Sequence, residues 1–386
     1  MDALLDPRFV VPAAVAIAVP LVFLRTVRRL DLYASGSYNA VLACMAFGAL
    51  AFPLSFAANT AALQLLTPVM GASAALLLVK TGIAPVVEEV FKSVGLVDVA
   101  RRPSFTYFVD GAVYGFAAGT AFAVVENLFY LSNAGAPLAL SINRVFSTCL
   151  MHAASSSLVG VAIGRFRFAR GTARWLAIPL GWSAAMAVHV GFNTFVNAGP
   201  LTSLRLAMAI GFGLAGVGMT ALFIAAGLRE ERGWLAETLN LGTGVSAHES
   251  NVVQRLAEAG DLLAPVAQHF GPERRRQVGD LLVRQAQLGL KRKAAELSQG
   301  AKLAAAMSAE ADTLEADIDR RRREIGIYCM AYVRAILPPD GSPLWDTLRL
   351  AVEAAPEARS NLFQTLSDRT QAAAPPAPDQ AAPHER

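Results

Sequence analysis

Glu88 and Glu89 stand side by side in a long apolar run, ALLLVKTGIAPVVEEVFKSVGLVDVA, with Lys92 following one helical turn after Glu88. An ionisable side chain in a hydrocarbon core costs at least ~2.5–3.5 kcal/mol on insertion scales, so each one needs a partner or a purpose. Three further apolar runs bear the same cost: Glu126 followed by Asn127, His152 with Thr148, Ser155 and Ser156 on its helical face, and His189 one turn before Asn193. Glu88 and Lys92, in the favourable order at i,i+4, predict an ion pair that leaves Glu89 pointing elsewhere. Such a pair explains one carboxylate and the lysine, and a single mid-span histidine is as often a packing residue as a catalytic one. Three glutamates, two histidines, a lysine and an asparagine on four successive runs exceed what packing needs. A carboxylate beside an imidazole in a dehydrated pocket can activate water, as general base or by holding a metal that acidifies it. His189 and Asn193 can aim two N–H groups at one developing oxyanion.

The elements that must position these groups are membrane helices. The chain has 386 residues, 54% hydrophobic and 17% charged, with a mean hydropathy of +0.42. Runs long enough to cross a bilayer, roughly 20 residues each, fall at 9–25, 37–58, 66–97, 108–131, 138–164, 174–197 and 204–228, which predicts about seven transmembrane helices. Gly82 and Pro85 predict a kink or break just before Glu88. Gly111, Gly115 and Gly119 form a ridge that lets a neighbouring helix approach, and the same face leads to Phe122 and Glu126. Glu126 is therefore expected to face the bundle.

Arginines mark alternate connections: Arg25, Arg28 and Arg29, then Arg101 and Arg102, then Arg165, Arg167, Arg170 and Arg174, then Arg229 and Arg232. The intervening connections hold little beyond Arg144 and Arg205. The positive-inside rule then puts the N-terminus outside and the C-terminal region in the cytoplasm. The net charge of +4 is thus a topology signal, and no nucleic-acid partner is expected. Cys44, Cys149 and Cys329 lack CxxC spacing, which argues against a disulfide framework or zinc knuckle. The first apolar run follows Asp2 and Asp6, not a basic segment, and is read as a retained span.

Residues 1–228 are accordingly read as the membrane domain and 229–371 as a cytoplasmic α-helical domain, with 372–386 an Ala/Pro-rich disordered tail. Leu303, Met307, Ala311, Leu314, Ile318, Ile325 and Cys329 make a stripe at helical spacing, which raises self-association through that domain.

The ordered motifs, EExxK at Glu88–Lys92, FxxxE at Phe122–Glu126, His152, and HxxxN at His189–Asn193, resemble those of the PrsW family of intramembrane proteases, itself similar to the wider CAAX-protease and bacteriocin-processing group. There the corresponding motifs are EExxxR, FxxxH, His and HxxxN, and the likeness covers roughly residues 60–200. The resemblance implies an all-α membrane endopeptidase acting on a membrane-anchored protein, of the anti-sigma-factor kind, in a bacterial cytoplasmic membrane. It implies that Glu88 or Glu89 activates water, that Glu126 and His152 complete the water or metal site, and that His189 with Asn193 stabilises the oxyanion. A Zn2+ ion would draw on Glu89, Glu126, His152 and His189, while a metal-free Glu/His scheme serves the same step. The rival reading is a proton- or ion-coupled transporter built on the same Glu/Lys/His cluster, which would be expected to show internal repeats; none is visible.

Overall fold

The computed structural model describes residues 7–33, 36–134, 138–168, 171–200, 202–239, 247–254, 256 and 259–336. These residues are helical, with no strand among them. The helices are α1 (Pro7–Leu30), α2 (Tyr38–Met70), α3 (Ala72–Leu78), α4 (Ala84–Ala100), α5 (Phe108–Ala134), α6 (Leu138–Arg144), α7 (Leu150–Phe168), α8 (Thr172–Asn197) and α9 (Ser203–Thr238). Beyond them come α10 (Ala247–Gln254), α11 (Ala259–Leu262), α12 (Ala264–Leu297), α13 (Ala301–Ile325) and α14 (Ile327–Ile336).

Six stretches are long and apolar enough to cross a membrane: Phe9–Leu30, Tyr38–Met70, Phe108–Ser132, Leu138–Phe168, Arg174–Asn197 and Ser203–Thr238. The expected third run, 66–97, is not one helix. Its first residues end α2, and Gly71, at φ 83°, turns the chain in the left-handed region that glycine adopts without strain. From there the path is α3, a π-helical turn at Val79–Ile83, and α4. The break before Glu88 is thus a π turn at the predicted place.

Local caps fit the sequence. The Ser37 hydroxyl accepts the Asn39 amide (3.2 Å) at the start of α2, and the Thr202 hydroxyl accepts that of Arg205 (3.3 Å) at the start of α9. Such side chains satisfy amides that the first helical turn leaves without partners.

The centre of the bundle is the α5–α7 pair, whose apolar windows are 89% buried. The predicted glycine ridge makes this contact: a Cβ on Gly115 would collide with the Ser156 carbonyl, and one on Gly119 with the carbonyl of His152. Backbones can approach this closely only where side chains are absent. At the Arg-rich end, Arg165 donates to Glu230 (2.9 Å), which also accepts the Tyr107 hydroxyl, and so joins α7, α9 and the start of α5.

The α13 stripe is consumed within the chain. Met307, Ala311, Ile318, Ile325 and Cys329 are buried, Leu303 and Leu314 pack on the same core, and Val278, Leu281, Leu282 and Ala286 of α12 belong to it. The apolar spacing that suggested self-association therefore describes the seam of an internal helical hairpin. The expected tail at 372–386, and residues from 337 onward, lie outside the described residues.

Candidate active site

Helix α4 carries Glu88, Glu89 and Lys92, α5 carries Glu126, α7 carries His152, and α8 carries His189 and Asn193. The fold brings the first six of these into one cluster. The two imidazoles lie 4.6 Å apart between centroids with their planes at 89°. Glu89, 1% exposed, is the hub: its Oε1 accepts the Lys92 ammonium (2.6 Å) and the Ser155 hydroxyl (2.8 Å) and lies 3.0 Å from His189 Nδ1, while Oε2 accepts the Ser156 hydroxyl (3.2 Å).

These partners set the tautomers. Glu89 can only accept, so His189 carries its proton on Nδ1 and leaves Nε2 as an acceptor, 3.6 Å from Glu88 Oε2. The Lys92 ammonium can only donate, and it lies 3.2 Å from His152 Nδ1. His152 therefore carries its proton on Nε2, which faces Glu126 Oε2 at 3.3 Å.

The lysine corrects the expected pairing. It is fully buried and bonds Glu89 at i,i+3, not Glu88 at i,i+4. Both neighbours are within reach on a helix. Glu89 wins because its face meets the hydroxyls of α7, which complete the carboxylate's hydrogen bonds. Glu88 turns the other way, with its side chain 12% exposed and Asn59 Nδ2 of α2 at 3.5 Å from Oε1.

Glu88 faces a cavity of about 410 Å³, which is also lined by Glu126, Arg144, His152, His189 and Asn193 and walled by aromatic rings such as Phe52, Phe56, Phe129 and Phe192. Glu89 and Lys92 lie behind this lining. Asn193 shares the cavity with His189, but its amide donates to the Lys80 carbonyl (3.0 Å). The π turn explains that bond. Ala84 N reaches back to the Val79 carbonyl, so the next amide in the register would belong to Pro85, which has no N–H. The Lys80 carbonyl is orphaned by a proline and taken up by an asparagine of α8. A second π turn, Val145–Cys149, stands immediately before α7 and His152. Single π turns of this kind are frequent at functional sites.

A family model described as PrsW family intramembrane metalloprotease matches residues 36–226. Residues 36–226 belong to this family. No curated protein and no solved structure matches it. The match spans every element that carries the cluster, from α2 into α9, and makes the chain a membrane-embedded peptidase. Nothing in the structure favours the transporter reading.

The PrsW name implies a metal, and the residues fit one. Donor atoms of Glu88, His152 and His189 lie within 4.8 Å of one another, and two histidines with one glutamate are a familiar catalytic zinc set. Each imidazole also has its remote nitrogen facing a carboxylate, Glu89 for His189 and Glu126 for His152, the outer-shell arrangement that orients metal-binding histidines. The group whose donor atoms converge includes Glu88, which was not among the expected candidates Glu89, Glu126, His152 and His189, while Glu89 and Glu126 face the outer nitrogens of the imidazoles. On His152 the nitrogen that faces Glu88 is the one Lys92 occupies, so that ligand becomes available only when the ammonium swings aside.

Sequence reasoning did not find two residues that contact this cluster. Arg144 of α6 lies 3.1 Å from Glu126 Oε2, an ion pair whose angles fall short of a hydrogen bond, while its Nε donates to Asn127 (2.9 Å). Its guanidinium covers the Tyr130 ring at 4.2 Å. Its signal was that it broke the alternation of arginines. Asn59 was a lone amide in an apolar run.

Proposed function

We propose that this protein hydrolyses a peptide bond of a membrane-anchored protein in the cavity bounded by Glu88, His152 and His189. The observation that carries this reading is the division of labour between adjacent glutamates: Glu89 is saturated by Lys92, Ser155, Ser156 and His189, while Glu88 faces the cavity beside an imidazole nitrogen able to accept.

In this scheme Glu88 accepts the proton of a water held between its Oε2 and His189 Nε2, and later returns it to the leaving amine. Glu89 fixes the His189 ring through Nδ1, and Glu126 with Arg144 fixes that of His152. Lys92 offsets the charge of the buried carboxylates. Asn193 reaches the developing oxyanion by exchanging the Lys80 carbonyl for that of the substrate, while His189, whose N–H is held by Glu89, orients the water through Nε2. The aromatic walls exclude bulk water and accept apolar substrate side chains. A metal ion held by Glu88, His152 and His189 would polarise the scissile carbonyl and acidify water.

The substrate proposed on family grounds is a single-span, anti-sigma-factor-like protein. The path Ala72–Ala100, interrupted by its π turn, is proposed as the seventh crossing, with the N-terminus outside and the polar helices of a cytoplasmic domain inside. Residues 1–228, 229–371 and 372–386 remain the proposed membrane, cytoplasmic and tail segments.

Co-expression with a tagged single-span substrate tests the reading. Glu88→Gln and His189→Ala should each abolish the cleaved product at unchanged protein level; product from both variants at the wild-type rate refutes the site. Metal analysis of purified wild type against His152→Ala/His189→Ala, with activity before and after a chelator, separates the two water-activating schemes. A metal-dependent enzyme loses both ion and activity, whereas a Glu/His enzyme keeps its activity in chelator.

A further inference from the structure

A second cavity, of about 640 Å³, lies at the Arg-rich end of the bundle, where the ends of α4 and α7 and the start of α8 meet the turn between α12 and α13. Arg101, Arg167, Arg174 and Ser298 line it, and no carboxylate among the described residues does. Like charges gathered around one concavity repel. Asp110 acts on Arg167 only through space, and the hydrogen-bonding and ring partners of these arginines are neutral: Arg167 donates to the carbonyls of Ala100 and Arg102 (2.9 Å to the latter), and Arg174 donates to Gln299 and lies 4.4 Å over the Phe166 ring. None of these cancels a charge.

Three donors here remain unused. Nε of Arg167, Nε of Arg174 and the Ser298 hydroxyl are buried, and none finds an acceptor among the described residues. Buried donors without acceptors are costly, and three around one basic cavity mark a place for an anion. The remaining wall is apolar, with Val97, Ile163, Ile178 and Leu303. Val97 is exposed on the outer surface, as are nearby Trp175 and Leu176 on a helix apolar enough to face lipid. A small soluble anion would satisfy the arginines and leave this wall wet.

We infer that this cavity binds an anionic glycerophospholipid, with its phosphate against Arg101, Arg167, Arg174 and Ser298 and its acyl chains along Val97 and Ile178. Basic pockets between membrane helices are where such headgroups seat. The bound lipid would bridge α4, the helix of Glu88 and Glu89, to the α12–α13 turn, and so couple the polar helices to the membrane bundle.

The test uses the full chain in uncharged detergent, by native mass spectrometry and thermal unfolding. Three probes are added in turn: phosphatidylglycerol, phosphatidylcholine with the same chains, and soluble glycerol phosphate. Phosphatidylglycerol should give stoichiometric adducts and raise Tm, and the other two should do neither. The Arg101→Gln/Arg174→Gln variant should weaken retention roughly 30-fold, while Arg276→Gln, exposed on α12, should bind as wild type does. Equal binding of phosphatidylcholine, a full Tm rise with glycerol phosphate alone, or undiminished retention by the folded double variant overturns the proposal. Should the double variant not fold, the comparison of the three probes on wild type decides.

Discussion

Glu88 and Glu89 are adjacent and chemically identical, yet their surroundings predict different consequences for the same substitution. Glu88→Gln removes a carboxylate from the cavity face, where the side chain has partial access to solvent, and should abolish cleavage with a change in Tm too small to prevent folding. Glu89→Gln leaves the fully buried Lys92 ammonium without its counter-charge. Breaking a buried ion pair costs about 3–5 kcal/mol, so this variant should unfold well below wild type in a detergent thermal melt. Adding Lys92→Met to Glu89→Gln should restore much of that loss, because the double change buries no lone charge. Equal melting of the two single glutamine variants would refute the division of labour. The candidate residues that the fold gathers were legible because any ionisable group in an apolar run demands explanation. Their pairing was not, since i,i+3 and i,i+4 both lie on one helical face, and the choice rests on Ser155 and Ser156 of a helix 60-odd residues away.

Among the elements, the α5–α7 contact fixes the distance between Glu126 and His152, and it depends on glycine. A valine at 119 would place carbon atoms where the His152 carbonyl now lies, and overpacking of this kind costs typically about 1–3 kcal/mol. Gly119→Val should therefore lower Tm and reduce cleavage at least tenfold, although it alters no polar group. Gly191→Ala on α8, where an added Cβ meets nothing, is the control and should match wild type in both assays. The glycine ridge could be read from spacing alone, and so could the interruption before Glu88. What spacing could not give is the form of that interruption. A π turn arises from which amides find carbonyls across Val79–Pro85, and it is held by Asn193 from another helix. The merging of residues 66–97 into one run had the same origin: Gly71 lies inside uninterrupted apolar sequence, and only its positive φ ends α2.

For the molecule as a whole, Arg144 bears on how orientation is read. A charge count treats it as a basic residue on the wrong side, whereas the structure spends it on Glu126, Asn127 and Tyr130 inside the site. Removing it from the tally leaves the alternation of arginine-rich and arginine-poor connections sharper, with Arg205 the one exception. Arginines of the alternate connections then cluster at one end, with Arg101, Arg102, Arg165, Arg167 and Arg174 converging there through α4, α7 and α8. The positive-inside rule assigns that end to the cytoplasm. Two single-cysteine variants in a background lacking Cys44, Cys149 and Cys329 put this to a direct test. Ser104→Cys, in the α4–α5 connection, should resist a membrane-impermeant thiol reagent applied to intact cells and react only after the membrane is opened. Pro200→Cys, between α8 and α9, should react in intact cells. Three crossings, α5, α6–α7 and α8, separate these two connections, so labelling of both from the same side would overturn the order of those crossings together with the orientation.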